Sequence, residues 1–185
     1  MEERVGEAFE LDERLTVVGG KVRPGDTAPD FNLDSFDPMN ANMQSVKLAD
    51  SSGMVRILNV INSLDTPVCH TETRYWEKVR AELPSNVSVY TVSMDLPYAQ
   101  ARWRTTEGVT HQTLSAHRSE QFGQDYGVLL KEWRLLQRAV FVIDSDGRLK
   151  RDHGAHPHSS WLSPHRACAA GWPGQCRAAE AIRPL

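Results

Sequence analysis

Three short runs of apolar and β-branched residues stand out along the chain. Residues 55–61 (Val-Arg-Ile-Leu-Asn-Val-Ile) are nearly continuous, which predicts a central strand covered on both faces. Residues 87–92 and 138–143 repeat the pattern. Between the first two runs, Tyr75, Trp76, Val79 and Leu83 recur at helical spacing with charges between them. Thr66 is a natural N-cap for that helix, Pro67 suits its first position and Pro84 ends it. Leu96-Pro97 opens a short helix through Trp103, and residues 119–126 predict another, ended by Gly127. Asp146-Gly147 is a hairpin turn leading into a return strand at Arg148-Leu149-Lys150. Upstream, residues 15–22 alternate weakly around Gly19-Gly20 and predict an N-terminal β-hairpin. Ala28 to Leu33 is a short extended piece, the polar residues 34–53 read as a long loop, and residues 7–13 as a solvated acidic segment. Strand, helix, strand, helix, helix, strand, turn, strand is an α/β order. It predicts parallel pairs inside the sheet and a hairpin at one edge.

The periodicity stops near residue 150. From 151 to 185 there is no valine, and Leu162, Ile182 and Leu185 are the only branched aliphatics. Four of the seven histidines (His153, His156, His158, His165) and two of the three cysteines (Cys168, Cys176) fall there. The chain therefore divides into one domain over 1–150 and an atypical His/Pro/Ala-rich tail over 151–185, expected to be poorly ordered. A shifted reading frame near residue 150 would produce such a break. The tail's His and Cys residues have zinc-ligand chemistry, but their spacing matches no closed finger, and no metal is expected.

Composition narrows the function. With 185 residues, 40% of them hydrophobic and 24% charged, the chain fits one soluble domain. A formal charge of −3 gives no pull on nucleic acid or an anionic membrane. No apolar run approaches the ~18 residues of a membrane span. The acidic start lacks an apolar segment, so the expected location is cytoplasmic. Three cysteines are too few for a disulfide scaffold.

Cys69 is the candidate for chemistry. With Thr66 as N-cap it is the third helical residue, near unsatisfied backbone N–H groups and the positive end of the helix dipole. Both favour thiolate, the reactive form. It also follows a buried strand directly, at the end of the sheet where open α/β folds bind small molecules. A buried structural cysteine is the alternative on position alone. His70 is no partner base, because adjacent helical residues point about 100° apart.

The stretch Asn62-Ser63-Leu64-Asp65-Thr66-Pro67-Val68-Cys69 resembles the peroxidatic motif of peroxiredoxins, most closely the thiol peroxidase subgroup. Gly25-Asp26-Thr27-Ala28-Pro29-Asp30-Phe31-Asn32-Leu33 and Ser93-Met94-Asp95-Leu96-Pro97-Tyr98-Ala99-Gln100 resemble two further motifs of that subgroup, in the same order. Tyr126-Gly127-Val128 and residues 138–144 also fall in place, so the likeness spans roughly 15–150. It implies a thioredoxin-like fold, a central mixed sheet flanked by helices. It implies catalytic roles for Cys69 as peroxidatic nucleophile, Thr66 as hydroxyl partner and Arg138 as guanidinium donor to the developing charge. Hydrogen peroxide and small organic hydroperoxides would be substrates. Thioredoxin or another thiol would be the reductant and a homodimer the assembly, with no cofactor. A catalytically silent thioredoxin-fold module is the competing reading. Three departures stand out: Asn62 replaces the usual proline, Arg104 replaces the subgroup's resolving cysteine, and the tail does not match.

Overall fold

The computed structural model describes residues 1–10 and 12–153. Two antiparallel strands open the chain, β1 (Glu3–Glu10) and β2 (Glu13–Val18), followed by a second antiparallel pair, β3 (Asn32–Asp37) and β4 (Asn42–Lys47). A single 3-10 turn, Leu48–Ser51, leads into β5 (Val55–Val60). Then come α1 (Pro67–Arg80), β6 (Val87–Ser93), α2 (Pro97–Glu107), β7 (Gln112–Ser115) and α3 (Gln121–Asp125). Two-residue strands β8 (Leu129–Leu130) and β9 (Leu135–Leu136) precede the closing hairpin of β10 (Ala139–Ile143) and β11 (Leu149–His153).

The central sheet has seven strands in the order β11-β10-β5-β6-β7-β3-β4. The β5–β6 and β6–β7 pairs are parallel and the rest antiparallel, a mixed sheet with the parallel pairs inside. The thioredoxin-like architecture inferred from the motifs is therefore present. All six residues of β5 are buried, because each face of the sheet is covered. Val55, Ile57, Val87, Val89 and Val140 meet Trp76 and Leu83 on the α1 side. Leu58, Val60, Tyr90, Val92, Phe141 and Ile143 pack with Phe122 and Tyr126 on the other. The period of two in β5 thus sorts its side chains between two cores, each buried aliphatic contributing about 1.5–3 kcal/mol. Tyr126 stacks on Phe122 with ring centroids 4.5 Å apart, and its hydroxyl donates to Pro29 O at 2.7 Å. That bond is how the Ala28-Pro29 segment closes this core.

Several expectations change. The N-terminal hairpin exists but turns between Glu10 and Glu13, not at Gly19-Gly20, and the acidic residues Glu7, Glu10 and Glu13 belong to its strands. In β1 only Ala8 is buried, so its outward charges hide the strand. Gly19 has another task. It sits at φ +100°, and a Cβ there would lie 1.9 Å from Gln124 O, so only glycine fits against α3. Residues 34–53 are not a loop. They hold most of the β3–β4 hairpin, an edge whose outward Asp, Gln and Ser positions look loop-like. The unforeseen β7 is four residues long and largely polar. The return strand continues to His153, since backbone pairing with Val140 does not need the apolar face that ends at Leu149. The tail from 154, with its zinc, disorder and reading-frame questions, lies outside the described residues. Among the described residues no helix is long and apolar enough to cross a membrane.

Candidate active site

The loop from Ile61 to Thr66 leaves the carboxyl end of β5 and delivers the chain into α1. Asp95, just past the end of β6, holds it in place. Ser63 Oγ donates to Asp95 Oδ1 at 2.7 Å and Leu64 N to Asp95 Oδ2 at 2.9 Å. Ser93 Oγ donates to Asp95 Oδ2 at 2.8 Å, and Gln100 Nε2 ties Ser93 Oγ (2.9 Å) to Leu114 O (3.0 Å). The Ser93-x-Asp95 and Gln100 positions of the second motif therefore brace the loop. Sequence reading quoted them without a role. A Ser-x-Asp at the carboxyl end of a buried strand was the available signal.

Thr66 occupies the N-cap position and Pro67 the first turn, as expected. The Thr66 carbonyl accepts from His70 N at 2.9 Å, and its hydroxyl donates to Ser63 O at 2.9 Å. Cys69 is 0% exposed and packs with Ile61, Leu64 and the partly buried Trp103. Among the described residues no hydrogen bond reaches its sulfur, and it is an unpaired thiol. Arg138 stands immediately before β10. Its Nη2 donates to both carboxylate oxygens of Glu10 at 2.9 Å, which ties the N-terminal strand to the start of β10. The structure thus sets Thr66 and Cys69 in one helix start, while Thr66 Oγ1 and the Arg138 guanidinium each hold other partners.

Three residues join this set. Asn62 is 6% exposed, and its Nδ2 donates to Leu136 O at 2.7 Å, lashing the loop to β9 two residues before Arg138. Glu72 lies one turn beyond Cys69. Burial pushes its carboxyl up to about 7, with the Arg138 charge and a bond to Trp76 pulling the other way. His70 accepts the Trp103 indole N–H at Nδ1, 3.2 Å away, and its Nε2 lies 3.6 Å from Glu107 Oε2. Arg104, in the resolving-cysteine position on α2, is half-buried. Burial lowers its affinity for the proton, opposed by the Glu77 and Asp37 charges. Among the described residues no group of three or more His, Cys, Asp or Glu side chains is arranged to hold a metal.

Fold and site together define a thioredoxin-like protein with one buried cysteine in the first turn of the helix that follows its central strand. The chain belongs to the AhpC/TSA family, whose profile matches residues 24–151. It is 45% identical over 136 residues to the thiol peroxidase of Bacillus subtilis (strain 168), covering 73% of this chain and 78% of that protein. It is 42% identical over 136 residues to the thiol peroxidase of Listeria innocua serovar 6a, covering 73% and 79%. Among solved structures, a peroxiredoxin-like protein from Aquifex aeolicus matches at 30% identity with a TM-score of 0.69, covering 78% of this chain and 82% of that one. The thiol peroxidase from Chromobacterium violaceum superposes with a TM-score of 0.70 at 21% identity, covering 87% and 94%, a likeness of fold.

Proposed function

We propose that this chain is a thiol-dependent peroxidase that reduces hydrogen peroxide and small organic hydroperoxides through Cys69. The Cys69 sulfur attacks one peroxide oxygen. An S–O bond forms, the O–O bond breaks, and the leaving oxygen takes a proton and departs as water or alcohol. The sulfur is oxidised to sulfenic acid by the two electrons that the peroxide gains. A thiol then attacks that sulfur and releases water, and a second thiol breaks the mixed disulfide and restores Cys69. Thr66 Oγ1 and the remaining N–H groups of Arg138 serve as donors to the sulfur and the leaving oxygen. Thr66 Oγ1 reaches them by exchanging its bond to Ser63 O, while Arg138 keeps Glu10 on Nη2.

The observation that carries this reading is the placement of Cys69 in the first turn of α1, off the carboxyl end of β5, in a chain of this family. Because Arg104 stands where the subgroup's resolving cysteine would be, the cycle uses one cysteine. Both reducing thiols come from outside the chain, from a thioredoxin-type dithiol or another thiol reductant. The protein works as a cytoplasmic homodimer and needs no cofactor. The test is peroxide consumption with a thiol reductant, wild type against Cys69→Ser. Loss of turnover in the variant is expected, and equal rates would overturn the reading. Peroxide-treated protein should carry sulfenic acid or a mixed disulfide at Cys69. A stoichiometric bond to Cys168 or Cys176 would remove the one-cysteine cycle. The sealed sulfur favours a second reading, a silent binding module, which the loss of turnover in Cys69→Ser would exclude.

A further inference from the structure

The Cys69 sulfur has no surface of its own, so something must move before any reactant reaches it. Its packing partners differ in what lies behind them. Ile61 and Leu64 are themselves buried at 0% and 3% exposure. Trp103 on α2 is only partly buried, so of these three apolar partners its indole is the one that also meets solvent. Among the described residues the indole N–H has one hydrogen-bond partner, His70, the neighbour of Cys69 in the chain. Trp103 Nε1 donates to His70 Nδ1 at 3.2 Å, and the two rings meet edge to face with centroids 5.3 Å apart. Since Nδ1 accepts, the ring proton sits on Nε2, facing the Glu107 carboxylate at 3.6 Å. Arg74 approaches the same carboxylate at 3.6 Å. These outer contacts are long and solvent-facing, and pairs of that kind hold weakly. The position of the indole therefore leans on one neutral hydrogen bond and one ring contact besides its packing on the cluster.

We infer that Trp103 is the access-determining residue of the Cys69 site, a gate latched by His70 that sets which hydroperoxides reach the sulfur. Small peroxides need a small displacement of the indole, whereas bulky hydroperoxides and thiol reductants need the latch broken. This rests on the peroxidase reading for its substrates. The gate itself is tested without turnover, through the alkylation rate of Cys69 by iodoacetamide. Mass spectrometry of the tryptic peptide 57–74, in which Cys69 is the only cysteine, gives that rate.

Trp103→Ala should raise the rate about tenfold or more, because exposure no longer waits for local opening. Trp103→Phe and His70→Leu keep the bulk and lose the bond, and each should raise it about fivefold. His70→Gln, whose side-chain oxygen can accept the indole N–H, should stay near wild type. In turnover, the preference for hydrogen peroxide over cumene hydroperoxide should fall severalfold in Trp103→Ala. Unchanged alkylation in Trp103→Phe and His70→Leu overturns the gate even if Trp103→Ala fails to fold. If alkylation responds but Cys69 never reacts with peroxide, the peroxidase reading fails and the gate stands. If peroxide reacts and alkylation is indifferent to every variant, the gate fails alone.

Discussion

Helix α1 carries two glutamates five residues apart, and their surroundings push them in opposite directions. Glu72, one turn past the cysteine, is partly buried with little compensation, and its carboxyl rises to about 7. Glu77, toward the far end, is also pushed upward by burial. There, however, the bonds from Thr110, His111 and Arg80 outweigh the burial and hold it down at about 2. Thr110 Oγ1 donates to Oε1 at 2.6 Å, His111 N and Nδ1 donate to Oε2 at 3.0 and 2.6 Å, and Arg80 Nη2 donates to Oε1 at 3.2 Å. With its Nδ1 proton on Glu77, His111 accepts from Thr91 Oγ1 at Nε2 (2.9 Å), and Asn59 Nδ2 donates to Thr91 in turn (3.3 Å). This line of polar contacts runs from the surface into the centre of the sheet. One end of the helix is thus clamped by charge and hydrogen bonds. At the chemical end Glu72 has no such set of bonds: the Arg138 charge and a Trp76 bond alone oppose the effect of its burial.

The largest effect should come from breaking the clamp. Glu77→Ala leaves the buried His111 ring and amide without an acceptor, at a cost on the order of 3 kcal/mol, or roughly 10 °C in Tm. Thermal melts check this. Peroxide turnover well below the melting range should change little. A variant that melts normally, or loses turnover while still folded, would erase the distinction between the two ends. The sign with pH follows from the lowered carboxyl. Its contribution is present above the unfolded value near 4.5 and is lost as pH falls through about 2. The stability gap between wild type and variant should therefore narrow between those values.

Neither glutamate's role can be read from local pattern. Glu77 and His111 are 34 residues apart and Asn62 and Leu136 are 74 apart, so only the folded chain pairs them. The strands that were legible, β5, β6 and β10, are those buried on both faces, where burial writes a continuous apolar run. The strands β1 and β4 lie at edges, β7 is short and β3 meets β7 at a single residue pair, and their outward polar residues mimic loops. Within the site, the Thr66-Pro67 helix start and Cys69 were legible because capping is a local event. The Glu10 clasp on Arg138 and the Trp103–His70 contact join separate elements and left no periodic trace.

The raised glutamate gives a smaller effect of opposite sign. The folded Glu72 carboxyl keeps its proton up to about 7, against an unfolded value near 4.5. Its contribution is fully present below about 4.5 and is lost as pH rises through about 7. Glu72→Gln cannot ionise and escapes that loss. It should match wild type in stability at pH 4 and exceed it by on the order of 2 kcal/mol at pH 8. Denaturant titrations at the two pH values measure this. An equal difference at both would mean that the carboxyl is not held protonated by its surroundings.

The smallest effect tests how the chemical end is steadied. Asn62 stands where the family's motif has proline, and the two residues can stiffen a loop in different ways. Proline fixes its own φ, whereas the Asn62 amide ties the loop to Leu136 O. Asn62 N donates to no backbone carbonyl among the described residues, so proline would forfeit no main-chain bond there. Asn62→Ala removes the tether and leaves a carbonyl unpaired, which should cost about 1 kcal/mol in stability and lower the Cys69 oxidation rate about fivefold. Asn62→Pro separates the two kinds of stiffness. If a rigid backbone suffices, proline restores the rate that alanine loses. If the cross-link to the Arg138 segment matters, proline stays as slow as alanine. The structure favours the second result, because the tether ends two residues from Arg138 and so sets the distance between that guanidinium and the cysteine's loop. A proline variant as fast as wild type would assign the steadiness of this end to the loop alone.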